Sequence, residues 1–199
     1  MTVAIAILAA GRGSRLGGDV AKPLVSFRGR PLLDHALEAA TTAGLAPVLV
    51  VVGHRADDVA AAVPVGIDVV RAADWERGLS GSLRAALDAL EPAEAVGAVC
   101  VGLADQPLVG ADSYRRLAAA YDEGASLAVA TYDGARGNPV LLARTHWTEA
   151  RALDGDVGAR ALMRNHPVVE VDCTATGSPV DVDTLNDLQT LEDPEDRHG

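Results

Sequence analysis

Short apolar runs alternate with amphipathic stretches over the first two thirds of the chain. Residues 3–8 are uniformly apolar and stop at Ala9-Ala10-Gly11, the profile of a strand buried on both faces that runs into a glycine-rich loop. Pro31 opens a helix with Leu32, Leu33, Ala36, Leu37 and Ala40 on one face, ended by Gly44. Further strands are predicted over 47–52, closed by Gly53, and over 67–70, 95–103 and 126–131. Helices are predicted over 56–62, 82–90 and 113–121. Beyond Gly134 the pattern loosens. A strand is predicted at 140–142, helices at 145–152 and 157–163, a strand at 168–171 and a last helix from Thr184. Residues 193–199, charged and proline-containing, are expected to fray after a domain spanning 1–192.

Buried strands alternating with amphipathic helices imply an α/β fold, a mostly parallel sheet with helices on both faces. Ligands in such sheets bind at the carboxyl ends of the strands, so the loops that follow strands carry the candidate chemistry. A length of 199 residues suits one domain, and apolar content of 49% with only 3% aromatic residues implies a core of Ala, Val and Leu. Polar residues interrupt every apolar run before a membrane span is reached, and the first apolar run lacks a basic leader, so a cytoplasmic protein without a membrane partner is expected. A net charge of −11 argues against a nucleic-acid partner. Cys100 and Cys173 have no metal-ligand spacing, and Cys100 reads as a reduced core thiol.

Charge is distributed unevenly. Lys22 is the chain's single lysine, and residues 1–30 hold Arg12, Arg15, Lys22, Arg28 and Arg30 against the single acid Asp19. Glycines and cations together on a strand-to-helix turn are what a phosphate cradle requires, and lysine supplies a mobile point charge where arginine supplies a rigid fork. Cations confined to one loop of an acidic protein suggest a small polyanion bound at one place. Asp105 leaves the carboxyl end of a strand on the same sheet edge, where a triphosphate's divalent cation would need a carboxylate. Asp181 and Asp183 alternate on an extended segment before the last helix. Asp183 or Thr184 can cap that helix, and capping competes with ligation at Asp181.

The stretch Leu8-Ala9-Ala10-Gly11-Arg12-Gly13-Ser14-Arg15, followed by Lys22-Pro23-Leu24, fits neither the Walker pattern nor the dinucleotide fingerprint. It resembles the opening of the MobA-like NTP transferases, and is most similar to the molybdenum cofactor cytidylyltransferase-like group. Asp105-Gln106-Pro107-Leu108 resembles that group's metal-binding segment, and Asp183 matches the second aspartate of its Asp-Ile-Asp-Thr-Pro-Glu pattern. Leu185 and Asn186 depart from the Pro and Glu that follow there. The segments 74–83, 137–140 and 155–160 resemble further family pieces in the family's order. The resemblance implies a single-domain Rossmann-like (glycosyltransferase-A-like) NTP-transferase domain.

It also implies a nucleotide site at Leu8, Ala9, Ala10, Gly11, Arg12, Gly13, Ser14, Arg15, Lys22, Gly53, Ser80, Gly81 and Ser82. Either serine could instead be a helix N-cap. The acceptor side is expected at Asn138, Asp156 and Arg160, a surface ion pair being the competing role for Arg160. Mg2+ is expected on Asp105 and Asp183, with Arg12, Lys22 and Asp105 carrying catalysis. The implied reaction moves a cytidylyl group from CTP to the terminal phosphate of a molybdopterin-type cofactor and releases pyrophosphate. A molybdenum hydroxylase apoenzyme is a further partner. Ala10, where the guanylyl branch tends to carry glycine, points toward CTP. The alternatives are a sugar-phosphate or other small-molecule nucleotidyltransferase, and a non-catalytic maturation protein that holds cofactor or nucleotide.

Overall fold

The structure is a computed structural model, and it describes residues 1–13 and 20–192. The predicted tail, 193–199, lies outside the described residues. At the centre lies β1 (Thr2–Ala9), flanked by β4 (Val48–Val52) and β6 (Val96–Leu103), both parallel to it. With β5 (Asp68–Arg71), β7 (Leu127–Tyr132), β8 (Ala135–Ala143) and β9 (Val169–Asp172) they form a seven-stranded sheet in the order β5-β4-β1-β6-β8-β7-β9. Only β8 runs against the others.

Strand alternation sorts the side chains into two layers. Val3, Ile5 and Ile7 of β1 face one side with Val50, Cys100, Leu33, Leu37 and Leu117. Ala4, Ala6 and Leu8 face the other with Val51, Val99, Leu83, Leu87 and Trp147. Helices α1 (Leu32–Thr42) and α4 (Ala111–Asp122) supply the first layer, and α3 (Leu79–Leu90) and α5 (Trp147–Arg151) the second. Helix α2 (Ala56–Ala61) links β4 to β5. Burial on both faces explains why the strands read as continuous apolar runs. Complete burial raises the pKa of Cys100, which keeps it a protonated core thiol. No helix among the described residues is long and apolar enough to cross a membrane.

The predicted helix at 145–152 is a 3-10 turn, Arg144–His146, followed by the five-residue α5, and other elements differ as well. The predicted short strand at 140–142 is the nine-residue β8, joined to β7 by a two-residue turn in which Asp133 and Gly134 both take positive φ, +51° and +78°. An Asp-Gly pair is the standard chemistry of such a hairpin. The predicted helix at 157–163 is a 3-10 turn, Ala159–Arg164. The last helix, α6 (Leu185–Glu192), packs Leu188 and Leu191 with Val182 against Phe27 and Leu32. Phe27 belongs to a small hairpin of β2 (Ser26–Phe27) and β3 (Arg30–Pro31), just after Lys22. This minor core brings the carboxyl-terminal segment to the lysine.

Candidate active site

The chain crosses from β1 to β4 on one side and later returns to β6 on the other side of β1. That reversal opens a crevice at the carboxyl ends of β1 and β6. The first loop enters it through Leu8, Ala10, Gly11 and Arg12. Gly13 takes φ +61°, and a Cβ there would lie 2.4 Å from Lys22 Cβ, so the loop closes over the lysine stem only with glycine at this place. Ser14 and Arg15, both assigned to the nucleotide, lie outside the described residues.

Lys22 begins a 3-10 turn, Lys22–Leu24, and is buried. Its ammonium donates to Asp105 Oδ2 at 2.5 Å and to Asp183 Oδ1 at 2.6 Å. Two carboxylate oxygens that share one ammonium are also close enough to share one divalent ion. Backbone bonds bring them together: Val182 N donates to Asp105 O at 2.9 Å, and Gln106 Nε2 to Pro179 O at 2.8 Å. Thr184 caps α6, its Oγ1 accepting from Asp187 N, while Asp187 Oδ2 accepts from the amides of Asp183 and Thr184. Asp183 is therefore not the cap of α6, and its carboxylate meets Lys22.

Burial pushes the Lys22 pKa down, but the charges and hydrogen bonds of Asp105 and Asp183 outweigh it, and the net shift is upward. Asp181 shifts upward as well, first from burial and then from the charges of Asp105 and Asp183. Asp181 thus feels the charge of the two carboxylates that hold the ammonium. Asp105 Oδ1 is buried with no hydrogen-bond partner among the described residues. A buried, orphaned carboxylate oxygen beside a second carboxylate is a donor set that fits a hard divalent cation. The sequence placed Lys22 on the phosphates; the structure commits its ammonium to the carboxylates. Arg28 and Arg30 are also engaged elsewhere, with Leu191 O and Glu38, so the basic charge of the first thirty residues does not all converge on the loop.

Two cavities adjoin this cluster and share Leu8, Leu79 and Leu103 as wall. One, of about 510 Å³, is lined by the first loop, Trp75, Ser82 and Asp105. Arg12 lies over the Trp75 ring, 5.4 Å from its centroid, and pairs with Glu76 at 3.7 Å. The other, of about 310 Å³, is lined by Arg136, Asn138, Arg160 and Asp181. Burial lowers the pKa of Arg160, partly offset by Asp181, and no ion pair of Arg160 occurs among the described residues.

Several sequence assignments move. Ala9, Gly13, Lys22, Gly53, Ser80 and Gly81 do not line the first cavity. The space beside Gly53 is filled by Trp75 and that beside Gly81 by the Asp74 carbonyl. Neither serine caps α3, which starts at Leu79, earlier than predicted. Asp156 does that instead, its Oδ1 accepting from Leu79 N at 3.3 Å. Asp156 also lines the first cavity, not the acceptor side where the sequence placed it. Trp75, Glu76 and Gln106 enter the sequence reading only inside family-like segments, and Arg136 does not enter it. No local signal marks them, because their role depends on which loops meet.

The sheet order and the crevice at the strand ends define an α/β protein of the Rossmann-like class. Within it, residues 5–171 match the MobA-like NTP transferase domain, and the chain belongs to that nucleotidyltransferase family. A Paenarthrobacter nicotinovorans protein named nicotine blue oxidoreductase is 32% identical over 195 residues, 93% of this chain and 94% of that one. The bifunctional protein GlmU of Burkholderia lata is 40% identical over 121 residues, 60% of this chain and 26% of its own, so the chain corresponds to about a quarter of that relative. Among solved structures, Rv0371c of Mycobacterium tuberculosis H37Rv is 34% identical with a TM-score of 0.83, covering 96% of this chain and 98% of its own. A complex of Rv0371c with manganese, at 31% identity and the same coverage, has a TM-score of 0.79.

Proposed function

We propose that the protein transfers a cytidylyl group from CTP to the terminal phosphate of a molybdopterin-type cofactor, with Mg2+ and with release of pyrophosphate. The observation that carries this proposal is the Lys22–Asp105–Asp183 cluster, whose Asp105 lines the larger of the two adjoining cavities. The larger cavity offers a glycine loop, Arg12 and an indole, which suit a nucleoside triphosphate. The smaller offers Arg136, Arg160 and Asn138 against walls of Leu83, Val101 and Val140, which suit a phosphorylated acceptor with an apolar body. Asp105 and Asp183 would hold the divalent ion, which when bound supplies Lewis-acid offset of phosphate charge.

A phosphate acceptor is already an ionised nucleophile at neutral pH, so no side-chain nucleophile is required. Arg12 and Lys22 offset charge as it develops on the leaving pyrophosphate. Lys22 also keeps the two carboxylates together before substrates arrive. The finished cofactor would pass to a molybdenum hydroxylase in the cytoplasm.

The test is pyrophosphate release by the purified protein with each of the common NTPs, offered molybdopterin or a sugar phosphate in the presence of Mg2+. Release with CTP and molybdopterin alone is the expected result. Release with a sugar phosphate would replace the proposed acceptor by the second reading that the sequence leaves open. Nucleotide binding without release at any Mg2+ concentration would make the protein a maturation partner and end the catalytic proposal.

A further inference from the structure

We propose that His146, Glu149 and His166 form a separate site for a divalent ion of the zinc class, on the sheet edge opposite the crevice. His146 ends the 3-10 turn after β8, the strand that runs against the rest, and His166 precedes β9, so both lie at the amino ends of the parallel strands. One ligand atom from each of the three side chains lies within 4.8 Å of the others. Glu149 Oε2 is 2.7 Å from His166 Nε2, and the two imidazoles meet edge-on with centroids 4.7 Å apart. Small side-chain rotations close such a group onto one ion at bonds of about 2.0–2.2 Å.

Two imidazoles and one carboxylate are a donor set that zinc accepts with coordination positions to spare. A Glu149–His166 ion pair alone would leave unexplained why a second imidazole faces His166. The frame is rigid. Trp147, between His146 and Glu149, is buried and donates from Nε1 to Leu142 O at 3.2 Å, and Leu162 and Met163, in the turn before His166, are buried as well. Ser126 Oγ, 3.0 Å from His146 Nε2, fixes the orientation of that ring as a ligand's outer partner does. An ion here would clasp the two ends of the segment that carries Gly158, Ala159 and Arg160 on the smaller cavity.

The test titrates ZnCl2 into the full-length protein by calorimetry, with thermal melting alongside. The expected result is one zinc site that persists in Asp105→Asn and weakens at least tenfold in Glu149→Gln and in the His146→Ala/His166→Ala double variant. A zinc-dependent rise in Tm should be lost with it. Zinc binding unchanged in Glu149→Gln and in the double variant would overturn the proposal, as would binding lost only in Asp105→Asn, or no binding by the wild-type protein. Each variant is first compared with wild type in zinc-free buffer. Should the double variant be unfolded there, Glu149→Gln decides. This outcome is independent of pyrophosphate release.

Discussion

Replacing Lys22 by Met keeps the apolar stem and removes only the charge that holds two carboxylates together. The Lys22 and Asp105 side chains are 10% and 25% exposed, whereas Asp183 is 47% exposed. Breaking a buried pair from one side costs roughly 3–5 kcal/mol, and an exposed one up to about 1 kcal/mol. Partial exposure of Asp105 discounts the first figure, leaving about 2–4 kcal/mol. For a domain of this size, at roughly 2–4 °C per kcal/mol, Tm should fall by about 4–16 °C. The loss should be conditional. In the variant a divalent cation meets Asp105, Asp181 and Asp183 without a competing ammonium, and at a hundred times its Kd it returns about 2.7 kcal/mol.

Melting curves of both proteins with and without saturating MgCl2 or MnCl2 read this directly, and the cation should raise the Tm of Lys22→Met more than that of wild type. Turnover should nonetheless drop by roughly one and a half to three orders of magnitude, the kinetic equivalent of about 2–4 kcal/mol of lost charge stabilisation. A Lys22→Met protein as stable as wild type without metal, or an equal response of the two to the cation, would refute the idea that ammonium and ion share one place.

Asp105→Asn should reduce pyrophosphate release to background while the protein stays folded by circular dichroism; near-normal release would remove Asp105 from the site. Arg160→Ala should raise KM for the acceptor at least tenfold with KM for the nucleotide unchanged, measured by varying each substrate in turn. Asp181→Asn should raise Tm at pH 7, because burial and two neighbouring carboxylates lift the Asp181 pKa and the ionised form disfavours the fold. The gain should shrink as pH falls through that raised pKa toward the ordinary value of 3.8, where the wild-type carboxyl is protonated in both folded and unfolded states. Thr184→Ala should cost about 1 kcal/mol by urea denaturation through loss of the α6 cap.

Local sequence decided the sheet. Residues 3–8, 47–52 and 95–103 are apolar without alternation because both faces of β1, β4 and β6 are covered, and that signal needs no knowledge of the partners. The loop glycines, Lys22, Asp105 and Asp183 stood out by type and by position after strands or before a helix. The Asp133-Gly134 pair carries a hairpin signal that the sequence reading did not use, and the looser pattern beyond it hid the length of β8.

Which groups touch was settled only by tertiary structure. A lysine is a phosphate ligand or a counter-ion according to what lies beside it, and here Val182–Asp105 and Gln106–Pro179 bonds bring two acids to it. Asp156 became the cap of α3 and a wall of the larger cavity because a distant loop returns there, and Gly53 and Gly81 turned out to admit Trp75 and the Asp74 carbonyl. Periodicity reports which face of an element is buried; charge pairing and close approach depend on loops meeting from remote parts of the chain, and no window of sequence contains that information.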